Sequence, residues 1–252
     1  MLKQVLWCLF KCIRSWQSGD LLIMFLRYTE DGFLVIFPED DLPRIVDAML
    51  ETNYSEEFCV SLDFTPEFIA RLMQAGFLVM SVQLSNDNFI LLPKLHLVRS
   101  ALFFDRLHVK RSIKRRLSRY ELRFDSDFDR ILDRCLEVHG EDWLTPPLVH
   151  AIRTIRKHRL CGLKPTSFGL YRDGKLVAGE FGIQLGRVYT SYSGYYDESN
   201  AGTVQLILAT RYLQQNGFAF FDLGMPMEYK NDLGAIDISP EEFVAHFRAA
   251  TI

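Results

Sequence analysis

The 252 residues are 48% hydrophobic, 13% aromatic and 24% charged, which supports a substantial core and excludes a disordered or low-complexity chain. A formal net charge of −3 argues against nucleic-acid binding by the surface as a whole, so any such partner requires a local concentration of positive charge. Cys8, Cys12, Cys59, Cys135 and Cys161 are odd in number, scattered and without zinc spacing, as expected of reduced, buried thiols in a cytoplasmic protein without a metal site.

Met1 to Ile23 carries Lys3, Lys11 and Arg14 around the apolar run Val5 to Phe10, which is too short for a secretion signal or a membrane span. It reads as an over-extended start, with Met24 the true first residue, or as an amphipathic leader. From Met24 to Phe37, short apolar runs around Asp31-Gly32 predict two small strands and a tight turn, stopped by Pro38. Thr65-Pro66 sets a hydroxyl N-cap before a first-turn proline and predicts a helix near 66–75, closed by Gly76.

Arg106 to Arg123 holds eight Lys or Arg and one acid, Glu121. Val109, Ile113 and Leu117 recur every four residues, which predicts a helix with one docking face and parallel basic rows on the other. Thr145-Pro146 starts a second helix over 146–158, and His150 to Lys164 has five basic residues and no acid. Val149, Ile152 and Ile155 fall inward there, with Arg153, Arg156, Lys157 and Arg159 outward. Two such acid-poor faces are suited to cradle a phosphate backbone, although a single charge run is more often an ordinary solvated face.

Ser167 to Tyr171, Leu176 to Leu185 and Val188 to Tyr195 predict a three-stranded meander with turns at Asp173-Gly174 and Gly186-Arg187. A helix from Thr203 to Gln215 follows, with Leu206, Leu208, Tyr212 and Leu213 inside and Gly217 as its stop, then a strand from Phe218 to Asp222. Ser239-Pro240 with Glu242 forms a capping box and predicts a last helix over 240–249. Meander, helix and strand in that order characterise the N-acetyltransferase (GNAT) superfold, whose members use either acyl-CoA or aminoacyl-tRNA. The loop Asp197-Glu198-Ser199-Asn200-Ala201-Gly202 has two acids and lacks the glycine spacing that binds pyrophosphate, so it disfavours acyl-CoA.

Several segments, taken in order, resemble the leucyl/phenylalanyl-tRNA-protein transferase family. They are Asp63-Phe64-Thr65-Pro66 with Gly76-Phe77, His108 to Arg115, Trp143-Leu144-Thr145-Pro146, Asn200-Ala201, and Phe221-Asp222 with Leu233-Gly234-Ala235. The resemblance implies an α+β protein with a small N-terminal α/β domain over 24–104, after the uncertain 1–23, and a GNAT-like aminoacyltransferase domain over 105–252. It implies transfer of an amino acid of the Leu/Phe/Met class from aminoacyl-tRNA to the N-terminal amine of an acceptor protein, as in the N-degron pathway. The sequence shows no metal site and no nucleotide loop, so no cofactor other than the charged tRNA is expected, and the protein is expected to be a cytoplasmic monomer without a membrane partner.

By the same resemblance, Asp222 is the catalytic carboxylate, and Tyr189, Leu206 and Leu213 line the side-chain pocket, to which Tyr192, standing where the family has an acid, is expected to add a more polar wall. Arg111, Lys114 and Arg115 fall on the positions that hold the tRNA acceptor end, Lys110 and Arg119 extend the same basic rows towards it, and Trp143 is an aromatic neighbour. Read without the family, Asp222 is a strand-end turn residue, and Tyr189, Leu206, Leu213 and Trp143 are core. The chain also departs from the family pattern. The acid of its G-E-S-M-F segment is Tyr192, the glutamine two positions after the aspartate is Gly224, and its double tryptophan falls at Pro93-Lys94. These losses leave two alternatives to the active transferase: a noncatalytic tRNA-binding relative, and a GNAT-type acyl-CoA transferase.

Overall fold

The computed structural model describes residues 26–85 and 87–251, so the start or leader expected over 1–23 lies outside the described residues. The chain divides into two compact units. One runs to Leu95 and includes Glu141–Ala151; the other comprises His96–Gly140 and the chain from Ile152 onward.

In the first unit, β1 (Arg27–Tyr28) and β2 (Leu34–Val35) form the expected antiparallel pair around the Asp31-Gly32 turn. Helix α1 (Leu42–Glu51) is capped by the Asp41 side chain, and β3 (Cys59–Val60) then pairs parallel to β2. Helix α2 (Pro66–Gln74) lies where the Thr65-Pro66 pair places it. The Thr65 hydroxyl does not cap it, however, because it hydrogen-bonds the Asp63 carboxylate instead. A long hairpin of β4 (Leu78–Ser85) and β5 (Asn88–Lys94) completes the sheets of this unit. The core gathers Leu42, Ile45, Val46 and Met49 of α1 and Phe68, Ile69 and Leu72 of α2, the apolar stripes of two amphipathic helices.

The second unit opens with β6 (Arg99–Leu102) and the single helical turn α3 (Arg111–Lys114). The basic helix expected from the spacing of Val109, Ile113 and Leu117 is reduced to this one turn. After α3 comes only a 3-10 turn at Leu117–Arg119, and then strand β7 (Glu121–Phe124). Stacking Lys110, Lys114, Arg111, Arg115 and Arg119 at helical spacing is repulsive, and the tighter turns break those rows. Ile113 and Leu117 are nonetheless buried as the spacing required.

Helix α4 (Phe128–His139) is followed by α5 (Pro146–His158), which begins in the first unit and ends in the second. The meander is β8 (Lys164–Arg172), β9 (Lys175–Leu185) and β10 (Val188–Tyr196), and Asp173 and Gly174 both adopt positive φ in its first turn. Helix α6 (Ala201–Gln215) crosses over to β11 (Phe220–Gly224). The chain ends in α7 (Glu228–Asp232), β12 (Ile236–Ile238) and α8 (Pro240–Thr251). The capping box of α8 is complete: Glu242 N–H donates to Ser239 Oγ, and Ser239 N–H to Glu242 Oε2.

The seven strands run in the order β12-β6-β11-β10-β9-β8-β7, and β10 with β11 is the parallel pair among antiparallel neighbours. The fold class is thus α+β. Cys59 and Cys135 are buried thiols, whereas Cys161 is exposed, contrary to the expectation for it. No helix among the described residues is long and apolar enough to cross a membrane.

Candidate functional site

Asp222 sits on β11, fully buried, with its carboxylate held by four hydrogen bonds. Arg99 Nε donates to Oδ1 at 2.8 Å and Arg99 Nη2 to Oδ2 at 2.6 Å, a planar fork matched to the two oxygens. Thr190 Oγ1 donates to Oδ2 at 2.9 Å from the next strand, where the β10–β11 register sets Thr190 beside Asp222. Gly224 N–H donates to Oδ1 at 3.0 Å.

Gly224, which has no side chain to offer, thus contributes its backbone amide to the carboxylate. Gly224 has φ +68 where the β11–β6 register shifts, a conformation that favours glycine. Arg99 is itself 1% exposed, lies over the Phe243 ring at 4.1 Å, and brings Nη1 to 3.2 Å from His96 Nδ1. With both carboxylate oxygens doubly engaged, Asp222 acts in this geometry as the anchor of an ion pair.

Successive residues of a strand face opposite sides of the sheet, so Tyr189 points away from the layer that holds Thr190 and Asp222. Tyr189 packs edge to face on Phe168 and Phe221, in one buried cluster with Leu206 and Leu213 of α6. Three of the four expected pocket residues are therefore together. Tyr192 is not with them: β10 shifts register between Ser191 and Ser193, and the Tyr192 ring lies 5.9 Å from Phe181, whose own ring meets Phe128 of α4.

The layer beneath α6 contains a residue that the sequence reading overlooked. Glu180 of β9, 4% exposed, pairs in register with Phe168 and Gly194 and receives Gln205 Nε2 of α6 at 3.2 Å. Burial pushes its pKa up to about 7, against the opposing pull of Gln205, Ser191, Lys230 and Tyr189. Its Oε1 and the nearby Tyr189 hydroxyl have no hydrogen-bond partner among the described residues. Glu180 is thus a buried carboxylate on the strand next to the one that carries Tyr192. Its signal was an acid inside the apolar run Leu176 to Ile183, where a charge is costly unless it has a task.

Lys230 of α7 closes the end of β11, donating from Nζ to the carbonyls of Leu223 and Met225, both at 2.7 Å. Burial pulls its pKa down, while Glu180 and Asp222 pull it back up.

The two basic segments differ. Lys110 is paired with Asp232. Arg111, Lys114, Arg115, Arg116 and Arg119 are exposed and form no ion pair among the described residues. On α5, by contrast, Arg153 is bound by Asp129 and Asp133 of α4, and Arg156 by Asp125, so two of the four outward cations of this second face are neutralised. Trp143 belongs to the first unit, where its carbonyl accepts from Ser81 N–H at 2.9 Å. Thr145 turns its hydroxyl to Ser81 Oγ at 2.7 Å.

The exposed turn of α3 is fixed from below. His108 N–H donates to Leu233 O, and a Cβ on Gly234 would lie 2.0 Å from Arg106 O, so the Leu233-Gly234-Ala235 segment holds a close backbone crossing that only glycine permits.

Residues 101–248 match the profile of the family described as Leucyl/phenylalanyl-tRNA protein transferase. A leucyl/phenylalanyl-tRNA–protein transferase of Cupriavidus necator is 32% identical over 114 residues, 44% of this chain and 44% of that protein. One from Pseudomonas aeruginosa is 29% identical over 155 residues, 60% of this chain and 67% of that protein. The match thus spans less than half the length of the first relative. Among solved structures, L-PGS from Bacillus licheniformis aligns over 89% of this chain and 88% of its own at 12% identity, with a TM-score of 0.45.

Proposed function

The chain belongs to the leucyl/phenylalanyl-tRNA protein transferase family, and from that premise we propose that it moves an amino acid from aminoacyl-tRNA to the N-terminal amine of a protein. The observation that carries the reading is the family match across the unit that holds both the Arg99–Asp222 centre and the exposed cations of α3. We read this second unit, His96–Gly140 with the chain from Ile152 onward, as GNAT-like, and the protein as a monomer acting in the cytoplasm.

The amine nitrogen attacks the ester carbonyl carbon of the aminoacyl-tRNA, the carbon–oxygen bond to the terminal ribose breaks, and the released hydroxyl gains the proton that the amine loses. The ester is already activated, so alignment within attack distance supplies most of the acceleration. Arg111, Lys114, Arg115 and Arg119, unpaired with acids, are positioned to take phosphates of the acceptor end. Asp222, with its lone pairs occupied, serves as a positioning residue that fixes Arg99 and Thr190.

The test is to incubate the protein with tRNAs charged separately with each radiolabelled amino acid, together with peptides beginning with Lys or Arg. Label in the peptide is expected. No label from any charged tRNA, with tRNA binding intact, would instead identify a noncatalytic tRNA-binding relative. Tight binding of coenzyme A would overturn both readings.

A further inference from the structure

The apolar layer between β9, β10 and α6 holds polar groups that the fold does not need. Glu180 is 4% exposed and Tyr189 fully buried, among Phe168, Leu206, Leu213 and Phe221. Leaving a buried polar atom unmet costs on the order of 1–3 kcal/mol, more for a charged group. Gln205 meets one oxygen of Glu180, at 3.2 Å. The other oxygen and the Tyr189 hydroxyl have no partner at hydrogen-bond geometry among the described residues, although Ser191 and Tyr189 lie close enough to the carboxylate to pull its pKa down. Packing alone explains neither, since a leucine and a phenylalanine in their places fill an apolar layer at no such cost.

From this unmet buried carboxylate oxygen and the unmet phenol hydroxyl beside it we infer that the layer under α6 is a polar side-chain pocket, specific for an aminoacyl group whose side chain ends in an N–H or O–H donor. The inference rests on the transferase reading above and names its substrate class. Glu180 accepts from the donor of the guest, Tyr189 adds a second hydrogen bond, and Gln205 holds the carboxylate in place. A Leu, Phe or Met side chain entering the same layer leaves these polar groups unmet, and sites built to hydrogen-bond a guest reject analogues that lack the group.

The experiment compares the protein with Glu180→Leu, each offered tRNAs charged singly with every amino acid and a Lys-initiated peptide, and measures kcat/KM for transfer. The parent is expected to favour donor-bearing amino acids over Leu, Phe and Met by about tenfold or more, and Glu180→Leu to reverse the order. Parent transfer of Leu, Phe or Met as well as any donor-bearing amino acid overturns the inference and leaves the transferase reading standing. Transfer of nothing by either protein overturns the transferase reading.

A second measurement depends on neither turnover nor the variant. Calorimetry of the parent with amide-linked aminoacyl-adenosines bearing Lys, Gln, Leu or Phe side chains is expected to rank the first two tighter. Equal or reversed affinities overturn the inference.

Discussion

Arg99 meets Asp222 across 123 positions of sequence, fork to fork, with both side chains sealed from solvent. Removing one partner strands the other as a buried charge. Arg99→Met is expected to cost about 3–5 kcal/mol, whereas Arg99→Met with Asp222→Leu recovers part of that loss. Urea unfolding of the single and double variants checks this, and single-variant losses below about 1 kcal/mol would contradict a sealed pair.

The unpaired cations around α3 and the paired ones on α5 are expected to differ in their response to salt. Lys114→Ala with Arg115→Ala should weaken tRNA binding and reduce the log–log salt slope by roughly one to two. Arg153→Ala with Arg156→Ala should leave the slope unchanged, because those guanidinium groups already face Asp125, Asp129 and Asp133. Titrations between low and moderate salt decide the matter, and equal slopes for the two double variants would place the RNA elsewhere.

Glu180 makes stability depend on pH in a stated direction. Its folded pKa is raised to about 7 by burial, above the ordinary 4.5, so the folded state keeps a proton that the unfolded chain releases. The contribution is fully present below about pH 4.5, falls as pH rises towards 7, and is flat above that. The total fall is about 3 kcal/mol at roughly 1.4 kcal/mol per pH unit. Glu180→Gln should remove this component, which urea unfolding of both proteins at a series of pH values would reveal as a difference that grows across that window.

Three glycines should respond to alanine in graded fashion. A Cβ on Gly182 would lie 2.3 Å from Thr190 O and 2.7 Å from the Tyr189 ring, and one on Gly234 would lie 2.0 Å from Arg106 O at φ +99. Each substitution is expected to cost roughly 3 kcal/mol or more, since main chain must move. Gly217, at φ +75 with nothing within 4 Å, should lose only about 1 kcal/mol from backbone strain. Melting temperatures rank the three, and a Gly217 variant as damaged as the others would break the argument.

What could be read from the sequence was local. The Asp173-Gly174 turn, the Ser239 to Glu242 box and the proline starts of α2, α5 and α8 depend on a few neighbouring residues, and they formed as expected. The basic helix failed because apolar spacing registers burial, which Ile113 and Leu117 achieve, but not the repulsion among the cations between them. Tyr192 left the pocket group because a register shift in β10, invisible to alternation, separates it from Tyr189. Arg99, Glu180 and Gln205 escaped notice because their meaning comes from partners far along the chain.

The parallel pairing of β10 with β11 also bears on how the second unit folds. The meander needs only neighbouring strands, whereas β11 must wait for α6 to return the chain and for β6, more than 100 positions upstream, to arrive on its other side. Contacts that close large loops are slow to form. The Arg99–Asp222 clasp is therefore expected to close after the transition state, so that its loss speeds unfolding while leaving the folding rate almost untouched. It works as a latch on a unit already assembled.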